Sequence, residues 1–355
     1  MRLLLQWTTV IPVLAWALFF SGSIADNFYM QILAGLFLIL SVMSAVHHSE
    51  IIAHRVGEPY GTIILAVAIT VIEVSIIISL MISGGNEAQS LARDTVYAAT
   101  MLILNGIVGL CLFIGGLKHH EQSFSKHSVI IALVSLVSIV VFTMVFPTFT
   151  QSIKGPYYST PQLIFVSIAC LIIYSFFLLA QTTRHRQYFL PRADNEKEAV
   201  LSISNGVLAL SLGFLLVSLG IVVLLAKTLS PTIEHVVVSH NLPKALVGVI
   251  LAAIILLPEG TAAIIAAKRN KLQTSLNLAL GSALASIGLT IPAVALVSST
   301  LDMKLVLGLD IVSIILLGLS VFTVMLSLIS GRSNIVYGAV LLVNLMAFVY
   351  LIIHP

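Results

Sequence analysis

Eleven runs of mostly apolar residues, each close to the roughly 20 that a helix needs to cross a bilayer, follow one another along the chain and limit what it can fold into. They cover residues 3–23, 28–46, 61–82, 95–117, 128–147, 161–181, 205–228, 243–267, 274–299, 305–329 and 335–353, separated by charged or Gly-, Pro- and Asn-rich breaks. Of the 355 residues 59% are hydrophobic and 9% charged, and the mean hydropathy is +1.12. So much apolar surface cannot hide inside one water-soluble core, which predicts an all-α polytopic membrane protein of about 11 transmembrane helices. The first run follows Arg2 and precedes "GSIAD" (Gly22–Asp26), which resembles a signal-peptide cleavage site. Its apolar part exceeds the usual 7–15 residue signal core, so it is read as a true span.

Lysine and arginine gather on the cytoplasmic side of membrane proteins. With eleven spans, 12 of the 17 basic residues fall on the side of the N-terminus, and five (Arg93, Lys154, Lys227, Lys244 and Lys304) on the other. This places the N-terminus in the cytoplasm and the C-terminus outside. The longest break, "RHRQYFLPRADNEKEAV" (Arg184–Val200), mixes both charge signs near the middle of the chain. The expected organisation is an extra N-terminal helix (1–27), a first five-helix repeat (28–183), a cytoplasmic linker (184–204) and a second five-helix repeat (205–355). Two odd-numbered units in series have opposite orientations, and inverted repeats are a transporter architecture.

Two acidic residues lie deep inside spans, Glu73 in "AVAITVIEVSIIISLMI" (Ala66–Ile82) and Glu259 in "ILLPEGTAAIIAA" (Ile254–Ala267). Each falls on the second span of its repeat. A mid-membrane carboxylate costs roughly 2.5–3.5 kcal/mol on insertion scales, so the expected role is an ion or proton site rather than a structural, protonated glutamate bonded between helices. Pro258 donates no backbone hydrogen bond and Gly260 has no side chain, so a helix break that frees carbonyl oxygens beside Glu259 is expected.

The following span, "LNLALGSALASIGLTIP" (Leu276–Pro292), spaces Gly281, Ala285 and Gly288 about a turn apart for close helix approach and puts Ser282 and Ser286 on one face at i, i+4. Small-residue packing and oxygen supply to a cation both account for this pattern. Asn105, in "LILNGIVGL", is the counterpart candidate in the fourth span, with interhelical hydrogen bonding as the alternative. Asp310 is placed about one and a half turns into the tenth span, as an exit-path or end-of-helix residue. His47, His48 and His54 fall near a span end and are expected at the solvated interface, where a pH-sensing role is open to them. Cys111 and Cys170 sit alone in apolar runs and are read as packing residues.

Two carboxylates facing each other in a low dielectric resist double ionisation, so protons, a divalent cation or monovalent cations neutralise them in turn. These occupants exclude one another, so if the protein rocks between inward and outward states only when the pair is neutralised, exchange of cation for protons follows. Calcium takes 6–8 oxygens at roughly 2.3–2.6 Å, a shell that carboxylates, hydroxyls, carbonyls and water supply.

At these residues the chain resembles the calcium/cation antiporter superfamily, most closely bacterial ChaA-type sodium/calcium:proton antiporters. The resemblance is carried by "AHRVGEPYGTIILAVAITVIEVS" (Ala53–Ser75), "LLPEGTAAIIAAKRNKLQTSLNLALGSALASIGLTIP" (Leu256–Pro292) and "GRSNIVYGA" (Gly331–Ala339). It implies a five-plus-five inverted fold with an extra first helix, Glu73 and Glu259 as the ion and proton site, and Ser282 as a ligand, with Ser286 near a further polar position. Relatives with Gly-Asn-x-x-Glu carry asparagine three residues before each glutamate; here these positions are Thr70, which offers an oxygen, and Leu256, which does not.

The expected function is export of Ca2+, with Na+, in exchange for H+ by alternating access. The alternative is an exchanger mainly of Na+ or K+ against H+. The cations and protons are substrates, no cofactor is expected, and the partners are these ions and the lipid bilayer, with no nucleic acid. No His-Glu-x-x-His, rhomboid-like Gly-x-Ser-Gly or paired membrane-aspartate motif with Gly-x-Gly-Asp points to an intramembrane hydrolase. Inner-membrane location follows from the resemblance.

Overall fold

The computed structural model describes residues 6–24, 27–56, 60–84, 89–190, 204–243, 245–301 and 303–354. Apolar side chains cover each expected span, and in lipid a backbone must satisfy its own hydrogen bonds, so every run becomes a helix. In chain order these are α1 Trp7–Phe20, α2 Phe28–Val56, α3 Tyr60–Gly84, α4 Leu91–His119, α5 Lys126–Phe149, α6 Thr160–Arg184, α7 Asn205–Ser239, α8 Ala245–Lys268, α9 Leu272–Thr300, α10 Ile311–Leu328 and α11 Ile335–Ile353. Among the described residues nine helices are long and apolar enough to cross a membrane, and α1 and the Thr70–Ile82 stretch of α3 are shorter apolar segments. No strand forms among the described residues beyond the isolated bridge between Ser123 and Arg332.

The distribution of side chains fits a lipid solvent. Large apolar residues such as Phe165, Phe176, Ile315 and Met346 are exposed, while hydroxyls such as Ser44, Thr100, Ser218 and Thr290 are buried. Wide π turns interrupt α4 at Leu102–Ile107 and α5 at Val141–Val145, and one ends α6 at Ala180–Arg184. Glycine sets the tightest crossing: a Cβ at Gly338 of α11 would run into the Phe113 amide and lie 2.7 Å from the Gly109 carbonyl on α4.

Several boundaries differ from the sequence expectation. The tenth span begins at Ile311 rather than 305, because residues 303–310 run outside any helix and pair by backbone: the amides of Leu307 and Gly308 reach the Pro156 carbonyl and that of Leu309 the Met144 carbonyl. Asp310 is therefore the N-cap of α10, accepting a hydrogen bond from the Ser313 amide at 3.1 Å. Helix α7 continues to Ser239, through Pro231. α8 is unbroken at Pro258, so the proline costs one ladder bond, the i+4 donor to the Ile254 carbonyl, and no more. Gly281 makes no close approach, since a Cβ there meets nothing within 4 Å among the described residues; Gly288 does, at 3.3 Å from Tyr174 Cβ. Of the 184–204 linker, Arg186–Phe189 forms one helical turn, and 191–203 lie outside the described residues, as does Asp302.

The chain forms two compact units. One is made by α1, α2, α3 and α7 with the first turn of α8; the other holds α4, α5, α6, the rest of α8, and α9–α11. Each draws helices from both sides of the central break.

Candidate functional site

In the larger unit, Glu259 sits on α8 with 6% of its surface exposed. Its position follows from three small or imino neighbours. Gly248, three turns earlier, lets α8 press on the backbone of α4, where a Cβ would lie 3.2 Å from Asp94 and Thr95 main-chain atoms. Gly260 faces Ile107 on the π turn of α4, with its notional Cβ 3.4 Å from the Ile107 Cδ1. Pro258 fixes the turn before the glutamate, and its own carbonyl accepts from Thr261 Oγ1 at 2.8 Å.

Across the α8–α9 contact, Ser282 Oγ donates to Glu259 Oε1 at 3.4 Å. Ser286, one turn on, is buried on the same face of α9. Gly288 seats the next turn of α9 on Tyr174 and Ile139. The result is a carboxylate with a hydroxyl beside it, in helices locked by close backbone approach.

Asn105 is two residues before the Ile107 that Gly260 faces. It is fully buried on the π turn, donates Nδ2 to Ser320 Oγ of α10 at 2.8 Å, and its Oδ1 has no hydrogen-bond partner among the described residues. The interhelical bond is thus present and a spare oxygen remains. Ser320 was not singled out from the sequence, where it is one of several serines in an apolar run.

In the smaller unit, Glu73 on α3 is 2% exposed and Thr70, one turn earlier on the same face, is 6% exposed. Glu73 and Glu259 are the only carboxylate residues buried to this degree among the described residues. The donor set at each is hard oxygen, which suits alkali and alkaline-earth cations and protons rather than soft metals. No group of three or more His, Cys, Asp or Glu gathers among the described residues.

His48 departs from the expected interfacial position. It is 1% exposed, packed between α1 and α7, with its ring 5.5 Å from that of Phe214. The periodic Ser41, Ser44, His48 face of α2 is visible in the sequence but does not by itself say what covers it. Asp310 lines a hollow of about 360 Å³ with Arg93, Thr148 and Thr150. Partial burial there works to raise its carboxyl, and the bonds it accepts from Ser313 and nearby amides outweigh this, holding it below its usual value.

A polytopic helical fold with a buried carboxylate on a helix beside a serine-bearing neighbour is an arrangement that suits ion transport. The chain belongs to the sodium/calcium exchanger protein family, whose model matches residues 27–183 and 210–354; members of this family are membrane cation antiporters rather than enzymes. It is 41% identical over 315 residues, 89% of this chain and 86% of the relative, to the putative ionic transporter y4hA of Sinorhizobium fredii (strain NBRC 101917 / NGR234). It is 30% identical over 343 residues, 94% of this chain and 92% of the relative, to the sodium-potassium/proton antiporter ChaA of Escherichia coli (strain K12). The fold is shared with YfkE, at TM-score 0.72 and 18% identity over 98% of this chain and 100% of that one. It is also shared with the H+/Ca2+ exchanger CAX, at TM-score 0.71 and 15% identity over 97% and 88%.

Proposed function

We propose that this chain is an inner-membrane antiporter that moves Ca2+, with Na+, against H+ by alternating access, with Glu73 and Glu259 binding cation or protons in turn. Each carboxylate is contributed by one of two five-helix repeats of opposite orientation, and the N-terminus is cytoplasmic. Thr70 is the further oxygen ligand beside Glu73 in the one unit, and Ser282, Ser286 and the spare oxygen of Asn105 are those of Glu259's unit.

The observation that carries this reading is the pairing of buried Glu259 with Ser282 Oγ at 3.4 Å. Carboxylate and hydroxyl oxygens side by side are hard donors of the kind that calcium and alkali cations take. Without a cation, a carboxylate buried in this way is neutralised by a proton, and that alternation is the exchange.

A second reading is favoured by the 30% identical relative named as a sodium-potassium/proton antiporter: exchange mainly of Na+ or K+, with Ca2+ minor. Everted vesicles acidified inside separate the two. Dissipation of the proton gradient by calcium supports the first, dissipation mainly by sodium or potassium supports the second, and no response to any cation contradicts both.

A further inference from the structure

A set of buried polar groups apart from the glutamates lies in the unit of α1, α2, α3 and α7. Ser41, Ser44 and His48 share one face of α2, and each is 1% exposed or less. Ser44 Oγ donates to the Thr8 carbonyl on α1 at 2.5 Å and lies 3.1 Å from Ser218 Oγ on α7. His48 stacks on Phe214 of α7, and Arg55 Nη2 donates to Asn205 Oδ1 at 3.4 Å. These three contacts run α2 and α7 antiparallel and bring Ser211 opposite position 51, about 4.5 Å along the axis from His48.

The ring's tautomer follows from its partner. His48 Nε2 is 3.3 Å from the Thr8 carbonyl oxygen. A carbonyl only accepts, so Nε2 carries the hydrogen and Nδ1 of the neutral ring keeps its lone pair. That nitrogen is buried and has no hydrogen-bond partner among the described residues, as is also the case for the hydroxyls of Thr8, Ser41 and Ser211. A basic nitrogen left unpaired in a membrane interior is costly unless water or a proton occupies it.

The geometry points to His48 Nδ1 as a second proton-accepting site in the membrane, reached through water held between it and Ser211. A hydronium on that water gives its proton to Nδ1; the imidazolium then donates from Nε2 to Thr8 and from Nδ1 to the remaining water, and the reverse step returns the proton. Among the described residues little else charged faces this ring. α1 has no acid or base between Trp7 and Phe20, and α7 has none from Asn205 to Ala226. On α2 itself the ring of His47 is 5.6 Å away, and Glu50, His54 and Arg55 follow toward the helix end.

The only charged side chain on α3 is Glu73. α2 ends at Val56 and α3 starts at Tyr60, so the hairpin returns Glu73 to about the level of Met43 and Ser44, roughly 7 Å along the axis from His48. On the reading of Glu73 as a transport carboxylate, on which this step rests, His48 lies between that carboxylate and the end of α2 that the basic-residue count places in the cytoplasm.

Potentiometric titration of the purified protein in detergent, from pH 8 to 5 without added cations, tests the site. His48→Gln, whose amide retains a donor for Thr8, is expected to take up one proton fewer than wild type; equal uptake overturns the proposal. Ser211→Leu fills the water position while leaving His48 in place and is expected to lose the same proton, and unchanged uptake overturns the water route. In reconstituted vesicles His48→Gln is expected to slow exchange several-fold at alkaline cytoplasmic pH and to lose one titration step, whereas a wild-type profile overturns the supply role. Glu73→Gln separates the two readings: normal transport by that variant sinks the glutamate assignment while leaving the His48 proton count intact.

Discussion

Ser282 Oγ donates to Glu259 Oε1 across the α8–α9 contact, and at 3.4 Å this is a long hydrogen bond. A bond of this length adds little to stability, since O–H···O bonds normally close to roughly 2.5–3.0 Å. Removing the hydroxyl is then expected to weaken cation binding and leave folding almost untouched.

Ser282→Ala should raise the calcium concentration for half-maximal exchange about tenfold, the effect of losing one interaction of about 1.5 kcal/mol to a charged centre. The maximal rate should change less, and Ser282→Thr should restore affinity. Initial rates against cation concentration in vesicles check this.

Close packing makes a separate prediction about stability. Gly338→Ala forces a methyl into the Phe113 amide and the Gly109 carbonyl, backbone atoms that cannot turn aside. A loss of about 1–3 kcal/mol is expected from overpacking. Gly281→Ala has open space and should be neutral or slightly stabilising. Thermal unfolding of the two variants in detergent, run side by side, distinguishes them.

Asp310 provides a pH signature. Its carboxyl, held below its ordinary value of 3.8, contributes stability in full above that pH and loses it as pH falls through the lower folded value. Asp310→Asn keeps an N-cap oxygen and should remove this acid dependence, while Asp310→Ala should cost about 1 kcal/mol at neutral pH. Melting temperatures from pH 7 down to 3 measure both effects.

The helix count and the positions of the glutamates were legible because burial in lipid imposes one strong rule: about 20 apolar residues make a span, and a carboxylate inside one stands out. Local sequence said less where backbone partners came from far away. Residues 305–309 are apolar enough to pass for helix, yet the amides of Leu307, Gly308 and Leu309 are satisfied by Pro156 and Met144 and that of Val306 by Gln89. Gly281 and Gly288 look alike in sequence, and among the described residues only the second meets a neighbour. His48 at the edge of an apolar run reads as interfacial until α1 and α7 are seen to cover it. Pro258 signals a break, but one missing donor does not break a helix held by close contacts on both sides of it.

The central claim is that the two buried glutamates carry the exchange. The most direct test is calcium- and sodium-driven proton movement in proteoliposomes holding equal amounts of wild type, Glu73→Gln and Glu259→Gln, each checked for a wild-type elution profile in detergent. Each substitution removes one titrating charge at nearly constant volume, so exchange should vanish in both variants while the protein stays folded. Wild-type rates in either would contradict the assignment of that glutamate.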